Sequence, residues 1–183
     1  INLQRLIGEI MAGLADFLGS LLDGRERVTD QSFTGEAQLG DEEGRVEWAV
    51  AWPLDEEVYE GFYCNTVPTP LGCSHEAGLR GGLVKGLRAH AERVAFKKAA
   101  LLTPEDVQGC ACLLLSVFIP HPQFQGQTKE RLVTPAVTRP IEACIKDRFE
   151  LWLAGHPAVA AQLLAYIANR AEERLARKAK KDV

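Results

Sequence analysis

One short segment, residues 125–129, combines residue types that could contact a phosphate group. It reads Gln125-Gly126-Gln127-Thr128-Lys129, which places an amide donor and an ammonium group two residues apart beside a glycine. Terminal phosphate oxygens accept charge-assisted hydrogen bonds from donors of this kind. A glutamine and a lysine on a loop are, however, more often solvated surface residues. The residues alone therefore leave phosphate contact and plain surface as alternatives.

A cluster of cations on one predicted helix forms the second candidate site. Arg80, Lys85 and Arg88 are candidates for facing duplex DNA, where phosphate contacts would be independent of base sequence. An outer, solvated helix face explains the same pattern, which continues through Arg93, Lys97 and Lys98. The formal net charge is −4, so the whole chain has no general attraction to nucleic acid or lipid. Any such contact must be local.

The cysteines are best explained by packing. Their number, five, is odd, and they show neither a CxxC pair nor a histidine partner at metal-ligand spacing. We therefore predict buried thiols in a reducing cytoplasm, with no metal site and no disulfide framework. No apolar run approaches the length of a membrane span, and no signal peptide is apparent. These patterns predict a cytoplasmic protein with no membrane contact.

Packing also explains His75, Trp48 and Trp52. His75 stands at a predicted helix start without an identifiable carboxylate or hydroxyl partner, which favours a cap or a packed imidazole over a base. Trp48 and Trp52 share one face of a predicted strand, which favours core residues over a base-stacking platform.

Hydrophobic periodicity predicts the elements of the first half of the chain. We expect a helix over 1–22, with a break possible at Gly13, then a strand around 28–34 and turns over 35–44. Val46, Trp48, Val50 and Trp52 alternate on one face of a strand over 45–52. A further strand around 59–66 suggests that 40–66 forms an antiparallel pair. A helix from Ser74 to about Ala100 follows, with Leu79, Leu83, Leu87 and Val94 as its apolar stripe.

The second half opens with Thr103 as an N-cap and Pro104 in the first helical position. The apolar run 110–119 favours a strand buried on both faces, with a buried helix segment as the alternative. Residues 120–129 contain two prolines and a glycine, which predicts a loop. Helices are expected from Val137 to Gly155 and from Pro157 to the basic tail, which gives an α+β domain with a C-terminal helical extension.

Several motifs together carry a family resemblance. Residues 117–132, VFIPHPQFQGQTKERL, resemble the QTK loop of the B subunits of DNA gyrase and topoisomerase IV. The resemblance continues through YCNTVPTPLGCSHEAGLRGGL at 63–83, LTPEDV at 102–107 and KDRFELWL at 146–153. It spans residues 13–181, and the versions at 65–70 and 126–132 are more similar to topoisomerase IV. Gly72-Cys73-Ser74-His75 departs from the usual Gly-Gly-Thr-His of the family, but Ser74 would preserve the hydroxyl cap.

The resemblance implies the transducer domain of these subunits. This is an α+β unit with a left-handed β-α-β crossover, like ribosomal protein domain 2, a hand that ordinary parallel connections avoid. We expect a poorly matched segment over 1–12, the transducer domain over 13–155 and a C-terminal helix over 156–183 that leads to a further domain.

The resemblance also implies a function. Gln127 and Lys129 would contact the γ-phosphate of ATP, while the ATP and its Mg²⁺ would be bound mainly by other domains. The expected partners are the ATPase domain of the same parent chain, a second B subunit, the topoisomerase A-type subunit and double-stranded DNA. The segment alone would be inactive, although its parent would be an ATP-hydrolysing isomerase. The alternatives are the same segment of gyrase, or a nucleic-acid-binding module without an ATPase.

Overall fold

The computed structural model describes residues 8, 13–40, 44–70, 72–125, 127, 129 and 131–182. Its helices and strands are, in chain order, α1 (Leu14–Leu21), β1 (Phe33–Gln38), β2 (Arg45–Ala51), β3 (Glu60–Cys64), β4 (Val67–Pro68), α2 (Ser74–Arg93), α3 (Pro104–Gln108), β5 (Cys112–Phe118), β6 (Phe124–Gln125), β7 (Arg131–Leu132), α4 (Thr138–Gly155) and α5 (Pro157–Lys181). Short 3-10 turns occur at Ala99–Leu101 and Pro135–Val137. The predicted α+β class with a long C-terminal helix is confirmed.

The main sheet has the strand order β1-β2-β5-β3-β4. The central strand β5 is antiparallel to β2 and parallel to β3, so β3, α2 and β5 form a β-α-β unit. The left-handed sense of that crossover stays a prediction from the family resemblance. The predicted antiparallel pair within 40–66 is wrong, because β5 lies between β2 and β3. Residues 112–117 of β5 are all buried, and a strand that is apolar on both faces takes a central position.

Strands β1 and β2 show where the predicted alternation of apolar residues was right and where it failed. Val46, Trp48 and Val50 of β2 are buried as expected, and the indole of the buried Trp52 donates to the Val107 carbonyl at 2.9 Å. Strand β1 begins at Phe33, later than predicted, and runs through Gly35 into the expected turn region. The Trp48 ring occupies the space that a side chain at position 35 would need, which explains the glycine.

Helix α2 begins at Ser74 as predicted but ends at Arg93, well before Ala100. Ala95 takes a φ of 53°, a left-handed conformation that stops the helix. Leu79, Leu83 and Leu87 are buried as predicted. Val94 follows the helix and is 52% exposed, so its assignment to the apolar stripe was wrong.

Helices α2 and α4 pack side by side along a row of glycines. Gly78 faces Thr138 and Ile141, Gly82 faces Glu142 and Ile145, and Gly86 faces Lys146 and Phe149. Residue numbers increase in the same direction along the two helices, so α2 and α4 are parallel. Glycines four residues apart lie on one helix face, and the missing side chains allow the backbones to approach closely. This contact is called the glycine seam below.

The C-terminal helix α5 packs onto the same core. Leu163, Leu164, Ile167 and Ala171 are buried in the cluster that includes residues of α2 and β5. Arg174 of α5 donates to both carboxylate oxygens of Asp106, at 2.9 and 3.1 Å. The same carboxylate accepts from the Thr103 N–H at 3.0 Å, within the N-terminal cap that was predicted. The division of the chain at residues 155 and 156 stays a prediction.

At the other end of the chain, α1 begins after Gly13, whose φ of 116° is not helical. This start agrees with the interruption expected at Gly13, whereas the helix expected over 1–12 lies, apart from Gly8, outside the described residues. The Glu47 carboxylate accepts from the Leu14 N–H at 2.6 Å and so holds the start of α1 against β2.

Burial determines the state of the cysteine thiols. Cys64, Cys110 and Cys112 are fully buried, and burial raises the pKa of Cys64 and of Cys110 to about 11, so both are protonated at neutral pH. In the described parts of the chain, no group of three or more His, Cys, Asp or Glu side chains is arranged to hold a metal. No single described helix is long and apolar enough to cross a membrane; 135–155 and 157–181 meet that test only as a pair bent by 113°.

Candidate functional site

The predicted loop at 120–129 is the first arm of a small hairpin. Strands β6 and β7 are antiparallel, with Gln125 opposite Arg131. The Val133 N–H donates to the Gln123 carbonyl at 2.8 Å, and the Gln123 N–H donates to the Thr134 hydroxyl at 2.9 Å. Residues 123–134 are called the QTK hairpin below. The expectation of a plain loop was thus wrong at Phe124–Gln125, where pairing is possible because both prolines precede the strand.

Gln127 and Lys129 lie in the turn of the QTK hairpin, and both side chains are exposed. Lys129 adopts a φ of 57°, a left-handed conformation that residues other than glycine rarely take. The structure therefore places the two predicted phosphate ligands in one exposed turn. An amide and an ammonium group donate hydrogen bonds to an anion, so the chemistry available here is anion binding.

Asn65 fixes the start of the segment that carries the hairpin. The ends of the parallel strands β3 and β5 are adjacent, and the Asn65 N–H donates to the Val117 carbonyl at 2.8 Å. The Asn65 side chain donates to the Ile119 carbonyl at 2.9 Å and accepts from the Ile119 N–H at 3.0 Å. Asn65 and Thr66 have φ values of 48° and 69°, as a tight two-residue hairpin turn requires. This role was missed from the sequence, although asparagine in a β turn is a usable signal.

The other end of the hairpin leads through the 3-10 turn Pro135–Val137 into α4. The Thr138 hydroxyl donates to the Ser74 carbonyl at 2.9 Å, so the N-termini of the parallel helices α2 and α4 lie side by side. Each helix N-terminus carries a partial positive charge, and both lie at the end of the seam that is nearest the hairpin. The N-cap of α2 is Cys73 and Ser74 is the first helical residue, so the cap expected at Ser74 is displaced by one position.

His75 is held in the core beneath this end of α2. The Thr69 hydroxyl donates to the Phe62 carbonyl at 2.9 Å, so its oxygen is left to accept from His75 Nε2 at 3.2 Å. Burial lowers the pKa of His75 to about 4, and the ring is neutral at pH 7. The prediction of a packed imidazole is confirmed. The statement that no hydroxyl partner could be identified was wrong, because Thr69, which follows β4, supplies one.

The predicted DNA-facing cations are engaged within the fold. Arg80 binds Glu76 and Glu60, each at 2.8 Å, and its neighbour Gln108 donates to the Arg80 carbonyl. Lys85 pairs with Glu142 across the seam, and Arg88 donates to the Leu102 carbonyl at 2.8 Å. Lys85 and Arg88 remain exposed, whereas Arg80 is only partly so. These residues tie α2 to its neighbours, and DNA contact by them stays a prediction.

Comparison with known proteins shows the family. The family model for DNA gyrase B matches residues 13–183, so the chain belongs to the DNA gyrase B family. Among its curated relatives are the B subunit of DNA topoisomerase 4 of Caulobacter vibrioides, 47% identical over 175 residues, and that of Bartonella bacilliformis, 44% identical over 171. Each alignment covers 93% of this chain and 25% of the relative. The chain thus spans about a quarter of the length of these proteins.

Solved structures agree with this assignment. The topoisomerase IV ATP-binding domain of Francisella tularensis, in complex with a small-molecule inhibitor, is 26% identical with a TM-score of 0.75. That alignment covers 88% of this chain and 43% of the other. The 43K ATPase domain of Thermus thermophilus gyrase B, in complex with an aminocoumarin, has a TM-score of 0.77 at 24% identity, over 92% of this chain and 46% of the other. This second likeness shows the shared fold.

Proposed function

We propose that the chain is the transducer segment of a topoisomerase IV B subunit and that Gln127 and Lys129 contact the γ-phosphate of ATP. The ATP would be held mainly by the ATPase domain of the same parent chain. The observation that carries the proposal is the QTK hairpin, which presents both donors on an exposed turn while Gln123 at its base is hydrogen-bonded to Val133 and Thr134. An exposed turn on a hydrogen-bonded base suits a ligand that another domain holds.

The γ-phosphate contact makes the hairpin a sensor of the nucleotide state. An ammonium group that touches only the γ-phosphate distinguishes ATP from ADP, and a ligand shifts a conformational equilibrium only through such differential affinity. The hairpin runs into α4, and the glycine seam joins α4 to α2 along three glycines. A displacement of the hairpin would therefore move α2 and α4 together. At the far end α4 meets α5, which leads out of the segment.

In the parent protein this coupling would drive passage of one DNA duplex through another. The partners would be a second B subunit, the topoisomerase A-type subunit and double-stranded DNA, in the cytoplasm, with Mg²⁺ bound with ATP outside this segment. The curated relatives, which are B subunits of DNA topoisomerase 4, favour topoisomerase IV over gyrase. Duplex contact by Arg80, Lys85 and Arg88 would be sequence-independent. It would compete with the ion pairs of Arg80 to Glu60 and Glu76 and of Lys85 to Glu142, and with the hydrogen bond of Arg88 to the Leu102 carbonyl.

The test is the ATPase rate of the complete B subunit carrying Lys129→Ala. We expect turnover to fall by about a hundredfold, the usual effect of removing one donor to a developing charge, with little change in the affinity for ADP. Lys97→Ala is the matched control, because Lys97 is an exposed lysine beyond the opposite end of α2. An unchanged rate for Lys129→Ala would leave the hairpin as surface and remove the chemical basis of the proposal.

A further inference from the structure

The short helix α3 is fixed to the sheet and to α2. Trp52, which follows β2, donates from its indole to the Val107 carbonyl at 2.9 Å. On the next residue, the Gln108 side chain donates to the Arg80 carbonyl of α2 at 2.7 Å. Two long-range hydrogen bonds thus hold a helix of five residues in place, immediately ahead of the central strand β5.

The carboxylate of Asp106, on the same helix, is 3% exposed and has four donors. It accepts from the N–H and the hydroxyl of Thr103 at 3.0 and 2.8 Å, and from two nitrogens of Arg174 at 2.9 and 3.1 Å. Burial opposes ionisation, but the hydrogen bonds from Arg174 and Thr103 lower the pKa of Asp106 below its ordinary value. The charged carboxylate therefore binds the guanidinium group at two points, the strongest form of this contact. Arg174 also donates to the Leu101 carbonyl at 3.1 Å.

Arg174 lies where α5 leaves the body of the segment. The last buried residue of α5 is Ala171, and all residues from 175 to 182 are exposed. The nearby ion pair between Lys98 and Glu172 is exposed on both sides, and such pairs contribute little. Apolar packing thus ends one turn before Arg174, and its contact with Asp106 fixes the turn that follows. We call this contact the α3–α5 joint.

We propose that the α3–α5 joint transmits the motion driven by the nucleotide to the helix that leaves the segment, so that Arg174 is a positioning residue for strand passage. This inference rests on the proposed function. Helix α3 precedes β5, and the chain that follows β5 leads to the QTK hairpin, so one central strand connects the hairpin to the joint. Coupling between distant sites is carried by rigid elements and hydrogen-bonded contacts of this kind. With the joint intact, the last turns of α5 follow the sheet when it rotates, whereas without it they would move independently.

The first test measures strand passages per ATP hydrolysed by the complete B subunit with its A-type partner. Arg174→Gln keeps a good helix former but removes the charge and the two-point contact. We expect the ATPase rate to stay within about twofold while passages per ATP fall by about tenfold, within the usual range of coupling between sites. Arg177→Gln is the matched control, because Arg177 is an exposed arginine that pairs with Glu173 on the same helix. It should leave both quantities unchanged.

The second test measures hydrogen exchange of residues 172–178 in the complete B subunit without nucleotide. Arg174→Gln should accelerate exchange there by about tenfold, because these turns lose a charge-assisted contact with the body. Asp106→Asn keeps a side chain that can cap α3 but removes the charge, so it should produce the same two effects with Arg174 unchanged. Arg174→Lys, which keeps the charge but not the two-point geometry, should lie between the unchanged protein and Arg174→Gln.

Three results would overturn the proposal. The first is unchanged exchange in Arg174→Gln, and the second is faster exchange with unchanged passages per ATP, which would make the joint merely structural. The third is an equal loss of coupling in Arg177→Gln. Failure of the γ-phosphate contact is distinguishable, because that contact is tested by the ATPase rate of Lys129→Ala, whereas the joint is tested by passages per ATP at a preserved rate.

Discussion

The glycine seam and the QTK hairpin are adjacent along the chain, but the seam is closely packed and the turn of the hairpin is exposed. In the seam, Gly82 brings the α2 backbone so close to α4 that an added Cβ would lie 2.8 Å from the Glu142 carbonyl oxygen. At the hairpin turn, Gln127 and Lys129 are exposed to solvent. Close packing thus holds together the helices that are proposed to move as a unit, while the residues proposed to bind ATP are exposed. We expect the effect of substitution on stability to fall steadily from the seam to the turn.

The largest effect on stability is expected at the seam. In Gly82→Ala the new Cβ would lie 2.6 Å from Ile145 Cβ, so α4 must shift. We expect the free energy of unfolding to fall by about 3 kcal/mol, measured by urea denaturation. Gly19→Ala in α1 is the control, since nothing lies within 4 Å of its added Cβ. It should stabilise the chain by about 0.5–1 kcal/mol, and a shift of the same sign in both variants would refute the close-packing account.

The next largest effect is a pH dependence of the free energy of unfolding, caused by His75 at the N-terminal end of α2. Burial lowers the pKa of His75 from 6.5 to about 4, so the unfolded chain binds more protons between these values. Stability is therefore fully present above about pH 6.5 and falls as the pH drops towards 4. From His75 we expect a loss of about 2 kcal/mol between pH 7 and pH 5.

Denaturation of the unchanged chain and of His75→Gln at both pH values isolates this contribution. Burial also lowers the pKa of His90, which acts in the same direction in both proteins. The variant should be less stable at pH 7 but lose less on acidification. Identical pH dependence in the two proteins would show that His75 is not buried as a neutral ring.

A smaller loss is expected at the Asn65 turn, which holds Ile119 ahead of the QTK hairpin. Asn65→Gly keeps the positive φ but removes both side-chain hydrogen bonds to Ile119, so we expect a loss of about 1–2 kcal/mol. Hydrogen exchange of the Ile119 amide should accelerate in parallel. Thr66→Gly is the control: a β-branched residue at a φ of 69° is strained, so glycine there should be neutral or stabilising. Equal destabilisation by both variants would show that the turn, rather than the Asn65 side chain, holds the segment.

The smallest effect is expected at the hairpin turn. Lys129 is exposed at a φ of 57°, which glycine adopts without strain. Lys129→Gly should change the free energy of unfolding by less than about 0.5 kcal/mol in either direction, by the same urea assay. A destabilisation well above that would mean that Lys129 supports the fold, and the contrast between seam and hairpin would fail.

Local patterns predicted much of this fold. The alternation at Val46, Trp48 and Val50 identified β2, and the Thr103-Pro104 cap identified α3. Strand pairing could not be predicted from them, because β5 joins β3 across a long connection while the local pattern favours direct pairing of β2 with β3. Strand β1 was misplaced because only Phe33 in it is buried, so it lacks an apolar alternation.

The candidate phosphate site was predicted from the family resemblance rather than from local patterns. The residue types at Gln127 and Lys129 permit phosphate contact, but only the family resemblance separates them from other loop residues. The Asn65 hydrogen bonds to Ile119 and the row of glycines in α2 depend on contacts between distant segments, over 54 residues for Asn65. A glycine every four residues in a helix was visible in the sequence and is a signal of close helix packing.

The most direct test of the central claim compares two nucleotides in the complete B subunit. Affinities for ADP and for a non-hydrolysable ATP analogue should be measured with and without Lys129→Ala. We predict that the variant binds ADP normally and loses about tenfold or more of its affinity for the analogue, because only the latter carries the γ-phosphate. Equal affinity changes for both nucleotides, or no change for either, would contradict the account.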